Sequence, residues 1–187
     1  MPERRVVFLD RDGTLIHDRP GFYLSHPDQI RFYRGTIEAL RLLRRAGFAL
    51  VVVSNQSGLA RGFLDEPALK RVHARLKARL RERGARLDGI YYCPHGPDDG
   101  CRCRKPQPTL ARRAARELGL ALAGSFIVGD KRADVDLGRR LGLTSIHLLT
   151  GHGRDQIQRH GRGLRPDRTC RNLFEAARWI LRRSNDR

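Results

Sequence analysis

The sequence predicts an α/β fold, a doubly wound parallel sheet with helices on both faces and no separate cap domain. Two observations carry this. Apolar runs of strand length alternate with longer stretches of helical period, the pattern of a parallel sheet covered on both sides. The residues able to do chemistry then fall where the runs end, at the carboxyl edge where such sheets bind ligands.

RVVFLD (5–10) reads as a buried strand, because Val and Phe favour extended chain. TIEALRLLRRAG places Ile37, Leu40 and Leu43 at helical spacing and stops at Gly47, a C-cap candidate. ALVVVSN (49–55) is the second strand. Asp65 can cap a helix with a stripe of Leu69, Val72, Leu76 and Leu80, closing at Gly84. His73, beside that stripe, reads as a surface or boundary residue. GIYYC (89–93) is the third strand, and a helix is expected over about 109–118. SFIVGD (125–130) and TSIHLL (144–149) are strands flanking a short helix that ends near Leu141. GHGRDQIQRHGRGLRPDRTC has no clear period and reads as a long surface connection before a last helix, 173–181, with Trp179 and Ile180 packing back.

The length of 187 residues suits one well-cored domain spanning 1–187. No apolar run reaches transmembrane length and the N-terminus has no signal-peptide pattern, so a cytoplasmic protein without membrane partners is expected, with a monomer as the default state. The net charge of +18 attracts anions in general. Only four of the 38 cations are lysine, Lys70, Lys77, Lys105 and Lys131; the rest are arginines, mostly expected on solvated helix faces. Nucleic acid is disfavoured as a partner despite the charge, since the Arg-rich segment has no interleaved aromatics.

FLDRDGT sets Asp10 and Asp12 two apart after an apolar strand, so both can face one volume above the sheet edge. Two close carboxylates share a proton or want a cation, and oxygen ligands of this kind suit Mg²⁺; an ordinary Asx-rich turn is the plain alternative. IVGDKRAD repeats the arrangement, with Asp130 able to complete the metal site and Asp134 able to orient ligands or cap a helix. SNQSG offers the Ser54 hydroxyl and the small-residue turn of Asn55, Gln56 and Ser57 to phosphate oxygens, and Lys105 offers a compact charge. These are the parts of phosphoryl transfer.

In that order and at those strand ends, DRDGTL, SNQ, RKP and GDKRAD resemble the four motifs of the haloacid-dehalogenase-like (HAD) phosphohydrolases, over roughly residues 5–149. The resemblance implies a Rossmann-like fold in which Asp10 attacks phosphorus and becomes an aspartyl phosphate. It implies that Asp12 protonates the leaving alkoxide and then activates water. Mg²⁺ would be held by Asp10, the backbone carbonyl of Asp12 and Asp130, and the phosphoryl group by Ser54 and Lys105.

CPHGPDDGCRCRKP gathers Cys93, His95, Cys101 and Cys103 just before Arg104 and Lys105. Three sulfurs and one imidazole suit a closed tetrahedral Zn²⁺ site over 93–103; a Cys93–Cys101 disulfide or an iron–sulfur cluster are the alternatives. Cys170 lies outside the set as a buried or free thiol. A loop this poor in apolar residues needs a buttress, and zinc there would fix the aim of Arg104 and Lys105. Zinc before RKP, together with LVVVSNQSGLARG, LDGIYYCPH and VGDK, resembles a capless HAD subgroup of heptose-bisphosphate and histidinol-phosphate phosphatases. The short gap between His95 and Cys101 is nearer the histidinol type. The resemblance implies a heptose bisphosphate as substrate, cleaved at C7 for a lipopolysaccharide precursor, with histidinol phosphate as the alternative; the charge leaves open a nucleic-acid-binding protein or polynucleotide end phosphatase. The resemblance also implies substrate contacts from Asp18, Arg19, Gly21 and Phe22 in the loop after DRDGTL, and from Arg104 and Lys131.

Overall fold

The computed structural model describes residues 4–18, 21 and 23–185. Six parallel strands, β1 (Arg4–Leu9), β2 (Ala49–Asn55), β3 (Gly89–Cys93), β4 (Leu120–Gly129), β5 (Thr144–Leu148) and β6 (Arg168–Cys170), form one sheet in the order β3-β2-β1-β4-β5-β6. Among the described residues five α-helices connect them, α1 (Thr36–Arg45), α2 (Glu66–Arg81), α3 (Thr109–Leu118), α4 (Arg132–Leu141) and α5 (Gly153–His160), and α6 (Leu173–Asn185) follows β6. The chain builds outward from β1 to β3, then crosses back to lay β4 on the other side of β1. Strand order therefore reverses between β1 and β4, and a crevice opens there at the strands' carboxyl ends.

Side-chain alternation along β1 divides the core. Val7 and Leu9 join the cluster made with α1, α2 and α6, while Val6 and Phe8 join the one made with α3 and α4. All four are fully buried, each side chain contributing roughly 1.5–3 kcal/mol of transfer free energy. Asp65 caps α2 by accepting from the Ala68 N–H at 2.7 Å. Among the described residues, no helix is long and apolar enough to cross a membrane.

Three expectations need correction. β4 begins at Leu120, five residues before the predicted start, and its register with β1 shifts between Arg5 and Val7. The Ser125 hydroxyl takes over there, accepting from Val6 N at 2.9 Å and donating to Ala121 O at 2.7 Å; the irregularity hid the first half of the strand. The Gly- and Arg-rich tail contains α5 and β6, and α6 runs on to Asn185. Only Gly153 of α5 is buried, so the helix shows no apolar period, and β6 is three residues long. His73 is a buried residue, 8% exposed.

Candidate functional site

Asp10 follows β1 and Asp130 follows β4, so the two carboxylates emerge on either side of the strand-order reversal. Lys105 arrives from the loop after β3, and its Nζ donates to Asp10 Oδ1 at 2.7 Å and to Asp134 Oδ1 at 2.6 Å. All four side chains are buried. Burial works against the Lys105 ammonium, but Asp10 and Asp134 outweigh it and raise its pKa. Burial lifts the Asp134 carboxyl above the usual range against the pull of Lys105, and Asp10 adds to the rise. Asp134 also accepts from Lys131 N at 3.1 Å, so it caps α4 and anchors the lysine at once.

Lys105 is itself held in place by Asn55. The Asn55 amide accepts from Lys105 N at 2.9 Å and donates to Lys105 O at 3.2 Å. This paired bond ties the loop after β3 to the end of β2.

The Asp130 carboxylate packs directly on backbone. A Cβ at Gly13 (φ +86°) would lie 2.2 Å from Asp130 Oδ2, and one at Gly151 2.4 Å from the same atom, so glycine is required at both. Oδ2 accepts from His152 N at 2.8 Å. Oδ1 is buried without any hydrogen-bond partner. Burial raises the Asp130 pKa well above the ordinary carboxylate value; Lys131 opposes this, and Asp10 and Asp134 add to it. A buried, unpartnered carboxylate oxygen close to two further carboxylates fits a hard divalent cation. Asp134 is already committed to Lys105 and Lys131, which leaves Asp10 and Asp130 as the available side-chain oxygens.

Asp12 has different partners. Arg11, 1% exposed, grips it with Nε at 3.0 Å from both carboxylate oxygens and Nη2 at 2.8 Å from Oδ2. Gln56 Nε2 donates to Asp12 Oδ2 at 2.8 Å and to Ser54 Oγ at 2.7 Å, while its Oε1 accepts from Arg11 Nη2 at 2.8 Å. Burial works against the Asp12 carboxylate, but Arg11 and then Gln56 outweigh it and lower its pKa. Arg11 Nη1 lies 3.0 Å from His73 Nε2. Burial first, and then the Arg11 charge, push the His73 pKa down to about 3.

A pocket of about 30 Å³ lined by Asp10, Asp12, Ser54, Asn55, Lys105, Lys131, Ala133 and Asp134 adjoins one of about 240 Å³. Asp12, Asn55 and Lys131 line both. Asp18, Gly21, Gln56 and Ser57 line the larger pocket, joined by Arg11, His17, Tyr23 and His152. Asp18 accepts from Lys131 Nζ at 3.2 Å and lies 3.1 Å from His152 Nε2. Burial opposes the Lys131 charge, but Asp130, Asp10 and Asp18 raise its pKa. Arg104 is not among the lining side chains; its Nη1 donates to the His95 carbonyl at 3.0 Å. Arg19 and Phe22 lie outside the described residues. Sequence reasoning missed Arg11, His73 and His152. Arg11 sits between the two acidic residues of DRD and reads as one more arginine of many, and nothing local marks His152.

Cys93, His95, Cys101 and Cys103 converge at the end of β3. Cys93 Sγ is 3.5 Å from Cys101 Sγ and 3.1 Å from Cys103 Sγ, and His95 Nδ1 is 3.3 Å from Cys103 Sγ. No disulfide joins them, since 3.5 Å is far beyond an S–S bond of about 2.05 Å. Sulfurs around a tetrahedral Zn²⁺ stand about 3.8 Å apart; Cys101 lies 3.5 Å and 3.7 Å from its two neighbours, and the Cys93–Cys103 pair is shorter. Burial raises the Cys93 and Cys103 pKa values, whereas backbone N–H groups of Cys103 and Arg104 and the neighbouring thiols bring that of Cys101 down to about 7 against burial, so Cys101 is the thiol set to ionise first.

A family model described as HAD-hydrolase-like matches residues 102–176. A D-glycero-beta-D-manno-heptose-1,7-bisphosphate 7-phosphatase of Bordetella bronchiseptica is 37% identical, over 95% of this chain and 98% of its own. The chain belongs to the HAD-like heptose-bisphosphate phosphatase family. A second member of this phosphatase family, from Escherichia coli K12, is 36% identical over 94% of this chain and 87% of its own. The crystal structure of D,D-heptose 1,7-bisphosphate phosphatase from B. bronchiseptica, complexed with magnesium and phosphate, matches with a TM-score of 0.87 at 36% identity, covering 96% of this chain and 99% of that one. Membership of this phosphatase family makes the protein a phosphoric monoester hydrolase, and the α/β fold expected from sequence is the family's own.

Proposed function

We propose that this phosphatase removes the C7 phosphate of D-glycero-D-manno-heptose 1,7-bisphosphate through an aspartyl phosphate on Asp10, with Mg²⁺ as cofactor. The observation that carries this is the buried cluster of Asp10, Lys105, Asp134 and Asp130 at the strand-order reversal, opening into a polar pocket of about 240 Å³. Relatives named for this reaction and a related structure holding magnesium and phosphate support it.

Asp10 attacks phosphorus and the bond to the C7 oxygen breaks; Asp12, which takes up a proton on leaving the Arg11 grip that holds it ionised, gives that oxygen its proton. Asp12 then takes a proton from water, whose oxygen attacks the acyl phosphate, releasing phosphate and restoring Asp10. Ser54 and Lys105 bind the transferring phosphoryl oxygens, and Lys105 keeps Asp10 oriented. Asp10, Asp130 and the Asp12 carbonyl would hold Mg²⁺, which supplies charge stabilisation for the phosphoryl group. The sugar occupies the larger pocket, with Asp18, Gly21, Gln56, Ser57 and Lys131 around it, and Arg104 beyond the present lining. Arg19 and Phe22 are proposed as further substrate contacts. The whole chain, 1–187, acts as one phosphatase domain, a cytoplasmic monomer serving lipopolysaccharide-precursor synthesis.

Phosphate release from heptose 1,7-bisphosphate, histidinol phosphate and a 3′-phosphorylated oligonucleotide, measured in parallel with Mg²⁺, tests the reading. A strong preference for the sugar is expected. Preference for either competitor would replace the substrate assignment.

Zn²⁺ at Cys93, His95, Cys101 and Cys103 is read as a closed structural site, two residues from Lys105. Cys103→Ser is expected to bring zinc content from about one per chain to near zero and to lower kcat about 10- to 100-fold, as lost supporting contacts do. Full activity in a zinc-free protein would remove the buttress role.

A further inference from the structure

The geometry points to His73 as a positioning residue for Asp12, acting through Arg11. This rests on the reading of Asp12 as acid and base in the proposed reaction. Arg11 is sealed from solvent, so its N–H groups must find partners inside the protein. Nε and Nη2 face Asp12, and Nη2 also reaches Gln56. Nη1 has His73 Nε2 at 3.0 Å. A guanidinium has donors only, so His73 must offer a lone pair there and carry its proton on Nδ1. The neutral imidazole is thus an acceptor placed at the far end of the guanidinium, and it decides which edge of the fork meets the Asp12 carboxylate.

The support comes from well outside the catalytic loop. His73 belongs to α2, whose Val72 and Leu76 are fully buried, and its ring lies 5.4 Å from that of Tyr92 on β3. Helix α2 therefore holds one end of Arg11, and Arg11 holds Asp12 where it can be released toward the pocket it lines with Asp10. Gln56 steadies the same carboxylate oxygen from β2's end and ties it to Ser54.

The test compares His73→Leu, which removes the acceptor, with His73→Gln, which keeps an acceptor near the Nε2 position, using phosphate release from heptose 1,7-bisphosphate. His73→Leu is expected to lower kcat about 10- to 100-fold, the cost of a small misplacement, with KM within about threefold. His73→Gln should return kcat to within about threefold of wild type. In an Asp12→Asn background, His73→Leu should cost less than about twofold more, because both act on one group. A wild-type kcat in His73→Leu, an equal loss in His73→Gln, or losses that multiply with Asp12→Asn would each overturn the inference. Should His73→Leu fail to fold, His73→Gln decides by itself: near-wild-type kcat supports the role and a tenfold loss ends it. Wild-type activity in Asp12→Asn would instead defeat the reading of Asp12, which keeps the two failures apart.

Discussion

Asp10→Asn is expected to lower phosphate release from heptose 1,7-bisphosphate by at least about 10³-fold while leaving the fold intact. The amide keeps the shape of the carboxylate but is a poor nucleophile, so the covalent step is lost and substrate binding is largely kept. Lys105 also donates to Asp134 at 2.6 Å, so the buried ammonium keeps a carboxylate partner when Asp10 is replaced. Melting temperature should therefore stay close to the wild-type value, and a drop in activity cannot be blamed on unfolding. Activity within tenfold of wild type would mean that phosphorus is attacked by another group.

Lys105→Met is expected to remove activity and, unlike Asp10→Asn, to destabilise the protein strongly. Lys105 is the cation bound to two buried carboxylates, and deleting one partner of a buried pair typically costs about 3–5 kcal/mol. The loss should depend on pH in a defined sense. Asp134 titrates above the usual carboxylate range even with Lys105 present, because burial favours its neutral form. Without the ammonium its pKa rises further, so the folded variant holds a proton that the unfolded chain gives up. Stability relative to wild type then falls as pH rises above the ordinary carboxylate range, and the deficit keeps growing until the buried carboxyl ionises. Urea denaturation of both proteins at rising pH checks it. A deficit that does not change with pH would show that lost packing, not uncompensated charge, is responsible.

The two substitutions separate what Lys105 does for Asp10 from what it does for the fold. The loop after β3 brings Lys105 to the site only because Asn55 clamps its backbone, and because the Cys/His cluster closes the loop two residues earlier. Chemistry and loop stability therefore share the same few bonds.

Much of this was legible in the sequence because it depends on neighbours in the chain. Buried strands declare themselves as apolar runs, and the residue at the end of each run must stand at the sheet edge. Asp10, Ser54, Cys93 and Asp130 could thus be assigned to one side of the molecule from order and spacing alone. The four ligand-type residues of 93–103 were legible for the same reason, as two short local pairs.

What the sequence did not determine depends on bonds between distant segments. Residues two apart in extended chain point the same way, which put Asp10 and Asp12 at one pocket, as they are; that a buried Arg11 and Gln56 also grip Asp12 was settled only by the fold. Asp134 looked like a possible cap, and only the approach of Lys105 across 29 residues made it a partner of the ammonium as well. His73 read as a boundary residue because a helical stripe reports which side faces the core, not which buried guanidinium lies beneath it. The last strand is three residues long and is ordered by backbone bonds to β5 and by Asp167 on Ser145, so no local pattern could announce it. Local chain chemistry set where the functional groups emerge; tertiary contact set which of them touch, since charge pairing and desolvation are decided only when distant segments meet.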